Sequence, residues 1–185
     1  EGVDRLATVN ALMLEGRTLF IADTYINEDP TAQELAQIAK LAADEVARFG
    51  LPPKVAFLSH SNYGSSSRKS ALKMREARNI FAAAYPTIEC DGEMHGDAAL
   101  DEAVRERTVA DSTLHGEANV LICPNLDAAN ILFNVLKPTA AHGTTIGPIL
   151  MGANASAHVL TPSSTVRRVV NMTALSAAQA ITRKG

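Results

Sequence analysis

The chain has 185 residues, 46% of them apolar, and a formal net charge of -3 from 17 basic and 20 acidic side chains. That length and composition suit one domain or slightly more, with a sizeable core. The interspersed charge excludes a strongly basic nucleic-acid footprint or a charged interaction tail, and no apolar run reaches the roughly 20 residues needed to cross a bilayer.

The first elements are a pair of strands, Thr8 to Leu14 and Thr18 to Ala22, flanking Glu15-Gly16-Arg17, a turn whose glycine can take the positive φ of a hairpin. Pro30-Thr31-Ala32-Gln33-Glu34 reads as a capping box, with Thr31 as cap and Glu34 reaching back. Leu35, Ile38, Ala42, Val46 and Phe49 then recur at helical spacing until Gly50 ends the helix. A strand at Lys54 to Leu58, a helix from about Arg68 to Tyr85 and a strand at Thr87 to Cys90 follow. Asp97 is the expected cap of a helix through Arg107.

Asn119 to Cys123 is a short apolar run suited to a central parallel strand, stopped by Pro124. Asp127 is the expected cap of a helix running to about Leu136, closed by Pro138. A glycine-bearing turn leads to a strand ending near Met151, and a last helix spans about Ser164 to Arg183. Strands alternating with helices predict an α/β fold, a three-layer sandwich built on a mainly parallel sheet.

Cys90 and Cys123 both end apolar runs, where a free thiol behaves as a small hydrophobe, so a reduced, cytoplasmic setting is expected. Neither belongs to a CxxC pair and the five histidines lack HExxH-type spacing, so no metal site is expected. The opening EGVDRLATVN lacks an initiator Met and a signal-peptide layout, and the chain reads as an excised piece.

Four stretches could carry chemistry. Open α/β sheets bind ligands beyond the carboxyl ends of their strands, which places Asn125, Asp127 and Asn130 where a ligand is expected; the alternative is that they only cap the helix and satisfy the loop. Ser59 to Ser67, followed by Arg68-Lys69, offers hydroxyls, helix-start amides and two cations as an anion cradle, with Ser59, Ser61, Asn62 and Ser65 as candidates. It is no P-loop, and a mobile serine-rich loop is the competing reading. Cys90 to Asp97 holds three carboxylates and a histidine, although Asp91-Gly92 as a turn and Asp97 as a cap account for it structurally. Leu160 to Arg168 sets the hydroxyls of Thr161, Ser163, Ser164 and Thr165 beside Arg167 and Arg168, which could meet a phosphate, unless Ser163 or Ser164 is a plain cap. Arginines at a helix start face the positive end of its dipole, a local cost that favours a role for them with an anion or carboxylate.

INEDPTAQELAQIA, VAFLSHSNYGS, DGEMHGDAAL, GEANVLICPNLDAAN and IGPILMG, in that order, resemble the phosphate acetyl/butyryltransferase family across nearly the whole chain. The resemblance covers the later part of that family's domain. It implies a phosphotransacetylase-like (isocitrate/isopropylmalate dehydrogenase-like) fold, with residues 1–150 as an inserted subdomain and 151–185 returning to the first. It also implies a cleft, dimerisation, and transfer of acetyl between CoA and phosphate. Where active members read D-L-S-R-G with an aspartate shortly after, this chain has Thr161, Pro162 and Arg168 at the serine, arginine and aspartate. An arginine cannot take a proton from a thiol at neutral pH.

That altered pattern resembles the phosphotransacetylase-like C-terminal domains of large bacterial NADP-dependent malic enzymes. The resemblance implies no catalytic residue in this segment and a non-catalytic regulatory and oligomerisation module binding acetyl-CoA as allosteric effector. Malate, NADP and a divalent metal would belong to an absent N-terminal malic enzyme domain. Ligand contacts are expected from Ser59, Ser61, Asn62, Ser65, Asn125, Asp127, Asn130, Thr161, Ser163, Arg167 and Arg168. Partners are expected to be acetyl-CoA or a related acyl-CoA and a second copy of the chain, with no nucleic acid and no membrane. An active phosphate acetyltransferase and a purely structural dimerisation module are the alternatives.

Overall fold

The structure, a computed structural model, describes residues 5–139, 144–160, 162 and 164–182. Its elements are β1 (Ala7–Leu14), β2 (Arg17–Ala22), α1 (Ala32–Arg48), β3 (Lys54–Leu58), α2 (Lys69–Ala84), β4 (Glu89–Met94), α3 (Gly96–Leu100), α4 (Glu102–Glu106), β5 (Val120–Ile122), α5 (Leu126–Thr139), β6 (Thr144–Met151) and α6 (Val166–Thr182). The strands form one sheet in the order β4-β3-β5-β2-β1-β6. β1 runs antiparallel to both β2 and β6, while β2, β5, β3 and β4 pair in parallel. β6 therefore points the same way as the parallel strands.

Strand side chains alternate between two faces, and each face has its own helices. Val9, Ala11, Phe20, Ala22, Val55, Phe57, Val120 and Ile122 bury Leu35, Ile38, Ala42 and Val46 of α1, Met74, Ala77 and Phe81 of α2, and Met172 of α6. Leu12, Leu19, Ile21, Ala56, Leu58 and Leu121 pack on the other face against Ala98 and Ala99 of α3 and Ala129 and Phe133 of α5. The expected three-layer sandwich and mainly parallel sheet are thus observed, and so are the hairpin at Gly16 (φ 78°) and the capping box of α1. Among the described residues no helix is long and apolar enough to cross a membrane.

Five local expectations need correction. β4 does not stop at Cys90 but runs to Met94, because Asp91 and Glu93, which discouraged a strand assignment, point inward and are paired with Arg78 and Arg75. Asp91-Gly92 is therefore strand, not turn. The helix expected from Asp97 to Arg107 is split into α3 and α4, since Asp101 adopts extended backbone and caps α4 through the amide of Val104. Asn125, not Asp127, caps α5, accepting the amide of Ala128 at 2.9 Å, and Asp127 lies exposed in the first turn.

Pro138 sits inside the last turn of α5 rather than beyond it. Thr165, directly before α6, caps it by accepting the amide of Arg168 at 3.2 Å, and of the two serines expected as caps Ser163 lies outside the described residues. The turn expected before β6 falls on residues 140–143, outside the described residues.

Candidate functional site at the β6 edge

The carboxyl ends of the parallel strands gather the connections between β2 and α1, β3 and α2, and β5 and α5 along one edge of the sheet. Two hydrogen bonds tie the central pair of these together: Asn130 Nδ2 donates to the Thr24 carbonyl at 3.1 Å, and the Leu126 amide to the Glu28 carbonyl at 3.0 Å. Asn130 and Leu126 thus hold the start of α5 against the β2 exit, while Asn125 bonds only within α5.

The β3 exit loop is closed on itself around Glu93. Ser61 Oγ donates to Glu93 Oε1 at 2.8 Å, the Gly64 amide donates to the same oxygen at 2.9 Å, and Arg75 grips both carboxylate oxygens. Ser59 Oγ accepts the amide of Ser61, Ser65 Oγ accepts the amide of Asn62, and Asn62 Oδ1 accepts the amide of His95. Burial opposes ionisation of Glu93, but Arg75, the Gly64 amide and the Ser61 hydroxyl outweigh it and hold the carboxyl down at about 2. The donors that resemble an anion cradle in the sequence face the protein's own carboxylate.

A second polar cluster lies where β2 ends. The Asp23 carboxylate accepts from the amide and hydroxyl of Thr8 and from the amides of Tyr25 and Asn27. Asn10, fully buried, donates to Thr24 Oγ1 at 2.6 Å, while its Oδ1 has no hydrogen-bond partner among the described residues. That oxygen lies so close to Gly147 (φ 134°) that a Cβ there would approach it to 2.5 Å. Only glycine lets β6 lie this tightly on β1.

The start of α6 meets β6 at this same glycine. Arg168 Nε donates to the Gly147 carbonyl at 2.7 Å, and Arg167 Nη2 donates to Thr144 Oγ1 at 2.8 Å. A cavity of about 250 Å³ is lined by Lys137, Thr144, Thr145, Thr165, Arg167, Arg168 and Asn171, three cations with no carboxylate. A second, of about 440 Å³, is lined by Thr8, Tyr25, Ile26, Pro148, Leu150, Val159 and Arg168, and is mostly apolar. Arg168 is the wall common to both. A phosphate suits the first compartment, where guanidinium groups can pair with its oxygens, and an acyl or other apolar chain suits the second.

Of the residues singled out from sequence, the structure brings Arg167 and Arg168 together at these cavities, with Pro162 on the segment leading in. Thr161 and Ser163 lie outside the described residues. Ser59, Ser61, Asn62, Ser65, Asn125, Asp127 and Asn130 do not line either cavity. Lys137, Thr144, Thr145, Pro148, Leu150, Thr8, Asn10, Asp23 and Ile26 were missed. One signal could have found part of this set: Thr8 and Asn10 are two polar side chains at a spacing of two in an otherwise apolar strand, which puts both on one face. Among the described residues no group of three or more His, Cys, Asp or Glu side chains could hold a metal ion.

With this geometry in view, likenesses to known proteins are informative. The family described as Phosphate acetyl/butaryl transferase matches residues 1–177. The chain is similar to the C-terminal region of the NADP-dependent malic enzyme of Salmonella typhimurium, 52% identical over 98% of this chain and 24% of that protein. Its fold is similar to a phosphotransacetylase from Streptococcus pyogenes (TM-score 0.92, 34% identity, 98% of this chain and 55% of that one). It is also similar to the EutD phosphotransacetylase from Staphylococcus aureus (TM-score 0.90, 31% identity, 97% and 55%). The chain thus spans about a quarter of the malic enzyme and about half of each phosphotransacetylase.

These likenesses correct the expectation of a non-catalytic regulatory module without acyltransferase activity. Near-complete superposition on phosphotransacetylases, at above 30% identity, speaks for a retained acyltransferase frame. The proton chemistry of one altered position, Arg168, does not decide the chemistry of the whole site.

Proposed function

Because the chain belongs to the Phosphate acetyl/butaryl transferase family, we propose that it supplies one wall of a phosphate acyltransferase site, moving an acyl group between the thiol of CoA and phosphate. The observation that carries this reading is the common wall at Arg168, between a cationic compartment and an apolar one. Acyl transfer between a thiol and phosphate needs that pairing: an anion held against cations, and a carbonyl carbon placed at the boundary beside it.

In this reading Lys137 and Arg167 hold the phosphoryl oxygens, with the hydroxyls of Thr144, Thr145 and Thr165 as further donors. Ile26, Pro148, Leu150 and Val159 receive the acyl chain or the adjoining arm of CoA and exclude water from the reacting carbonyl. The buried cluster of Thr8, Asn10, Asp23 and Thr24 fixes the backbone beneath, so that the β6 edge keeps its spacing. The second wall of such a cleft corresponds to the part of the longer phosphotransacetylases that this chain does not span.

The test is a coupled assay on the intact natural protein, following acetyl phosphate formed from acetyl-CoA and phosphate. Turnover in the wild type that falls at least about a hundredfold in Arg167→Glu/Arg168→Glu is expected, since two cations are replaced by anions facing the phosphate. Absence of turnover in a folded wild type that still binds CoA overturns the reading.

A further inference from the structure

Arg168 cannot act as a base, because a guanidinium stays protonated at any pH the protein meets. It can act in the opposite sense. We propose that Arg168 is a catalytic residue that holds the thiol of bound CoA as the thiolate, so that the site activates its nucleophile with a fixed cation. This inference rests on the acyltransferase reading of the same site.

Three observations carry it. Arg168 is fixed rather than free: Nε is tied to the Gly147 carbonyl and its backbone amide to Thr165 Oγ1. Its two Nη groups have no hydrogen-bond partner among the described residues and are available to a sulfur at the boundary of the two compartments. The surroundings are also of one sign. Lys137 of α5 and Arg167 of α6 face the same space, and the amide end of α6 adds positive potential. The adjacent carboxylate, Asp23 at the β2 exit, is 3% exposed and spent on the amides and hydroxyl around it, and it does not line either cavity. Thiols beside arginine or a helix N-terminus ionise more readily, which raises the fraction of nucleophile present at neutral pH.

The step balances without a protein base. The thiol loses its proton to solvent, and the thiolate sulfur attacks the carbonyl carbon of an acyl phosphate. A carbon–sulfur bond forms, the carbon–oxygen bond to phosphate breaks, and its electron pair leaves on the phosphate oxygen, which takes a proton from solvent. Acyl phosphate and thiol become thioester and hydrogen phosphate.

The experiment titrates the ultraviolet thiolate absorbance of CoA bound to the intact natural protein, in the wild type, Arg168→Lys and Arg168→Gln. In the wild type the bound thiol should ionise at least about one pH unit below a free thiol's usual value of roughly 8.5. Arg168→Lys should keep part of that shift and Arg168→Gln should abolish it, with kcat/KM for acetyl phosphate at neutral pH falling about tenfold per unit lost. The pH profile of kcat/KM should move with the spectroscopic midpoint. An unshifted thiol in a wild type that turns over overturns this inference alone. A shifted thiol without turnover, like the absence of CoA binding, overturns the acyltransferase reading and with it the catalytic role of Arg168.

Discussion

Arg75 grips Glu93 through two parallel hydrogen bonds, Nε to Oε2 and Nη2 to Oε1, each 2.9 Å long. The pair fastens α2 to β4 and, through Ser61 and Gly64, to the β3 exit loop. It explains why a segment as charged as Glu89 to Met94 is a buried strand at all.

Removing one partner should expose that dependence. Arg75→Leu leaves the Glu93 carboxylate, 1% exposed, without its cation, and should lower stability at neutral pH, by less than for a fully buried pair because Arg75 itself reaches solvent. The sign with pH follows from the depressed carboxyl. The stabilisation is present above the unfolded value near 4.5 and is lost as pH falls through about 2. Denaturant titrations should therefore find wild type and variant far apart at pH 7 and converging below pH 3.

The contact of Gly147 with Asn10 predicts a coupled pair. Gly147→Ala places a Cβ 2.5 Å from Asn10 Oδ1 and 3.0 Å from the Val9 carbonyl at a φ of 134°, so it should destabilise by about 2 to 3 kcal/mol. In a double-mutant cycle with Asn10→Ala, part of that cost should disappear, because the nearest obstacle is the Asn10 side chain. Full additivity in thermal or denaturant unfolding would refute the contact.

His158 predicts an acid-labile strap. Its Nδ1 accepts the amide of Leu150 at 3.2 Å, which only an imidazole unprotonated there can do. Burial pushes the ring's pKa below the usual 6.5, against the pull of Gln179 and the charge of Glu45. The lowered value means that this stability is present above the unfolded value and is lost as pH falls through the folded one. Protection of the Leu150 amide and of residues 153–160, taken relative to the intrinsic exchange rate at each pH, should fall as pH drops below the usual imidazole value of 6.5. His158→Gln should remove the pH step, and unchanged protection in the wild type would count against the strap.

The apolar compartment predicts a chain-length preference. Val159→Phe narrows the wall formed by Ile26, Leu150 and Val159. If acyl groups occupy it, KM for butyryl phosphate should rise about tenfold relative to KM for acetyl phosphate, the scale on which pockets discriminate methylenes. Equal effects on both substrates would move the acyl chain elsewhere.

Much of this molecule was legible in its sequence. Thr31 and Glu34 announce the start of α1, Gly16 announces the hairpin, and the alternation of short apolar runs with helical spacing announces the layered sheet. These are local statements, in which a residue's own conformational preference or its neighbours three or four positions away decide the outcome. The family was legible too, because its motifs are strung along nearly the whole chain.

What failed was non-local. Ser61 reads as a donor waiting for an anion, and only the pairing of β3 with β4 brings Glu93 to it from 32 residues away in sequence. Asp91 reads as part of a turn and Glu93 as one of three carboxylates beyond a strand, and only α2 supplies the arginines that let both be buried. The two cavities could not be read at all, since Lys137, Thr8, Ile26 and Leu150 become neighbours of Arg168 only when β1 lies between β2 and β6. The sequence by itself determined the alternation of strands and helices, the capping box of α1 and the family. The tertiary structure decided which charges are spent on one another and which are left facing open space, because a charge's partner is chosen by distance through space, and no spacing along the chain encodes that distance.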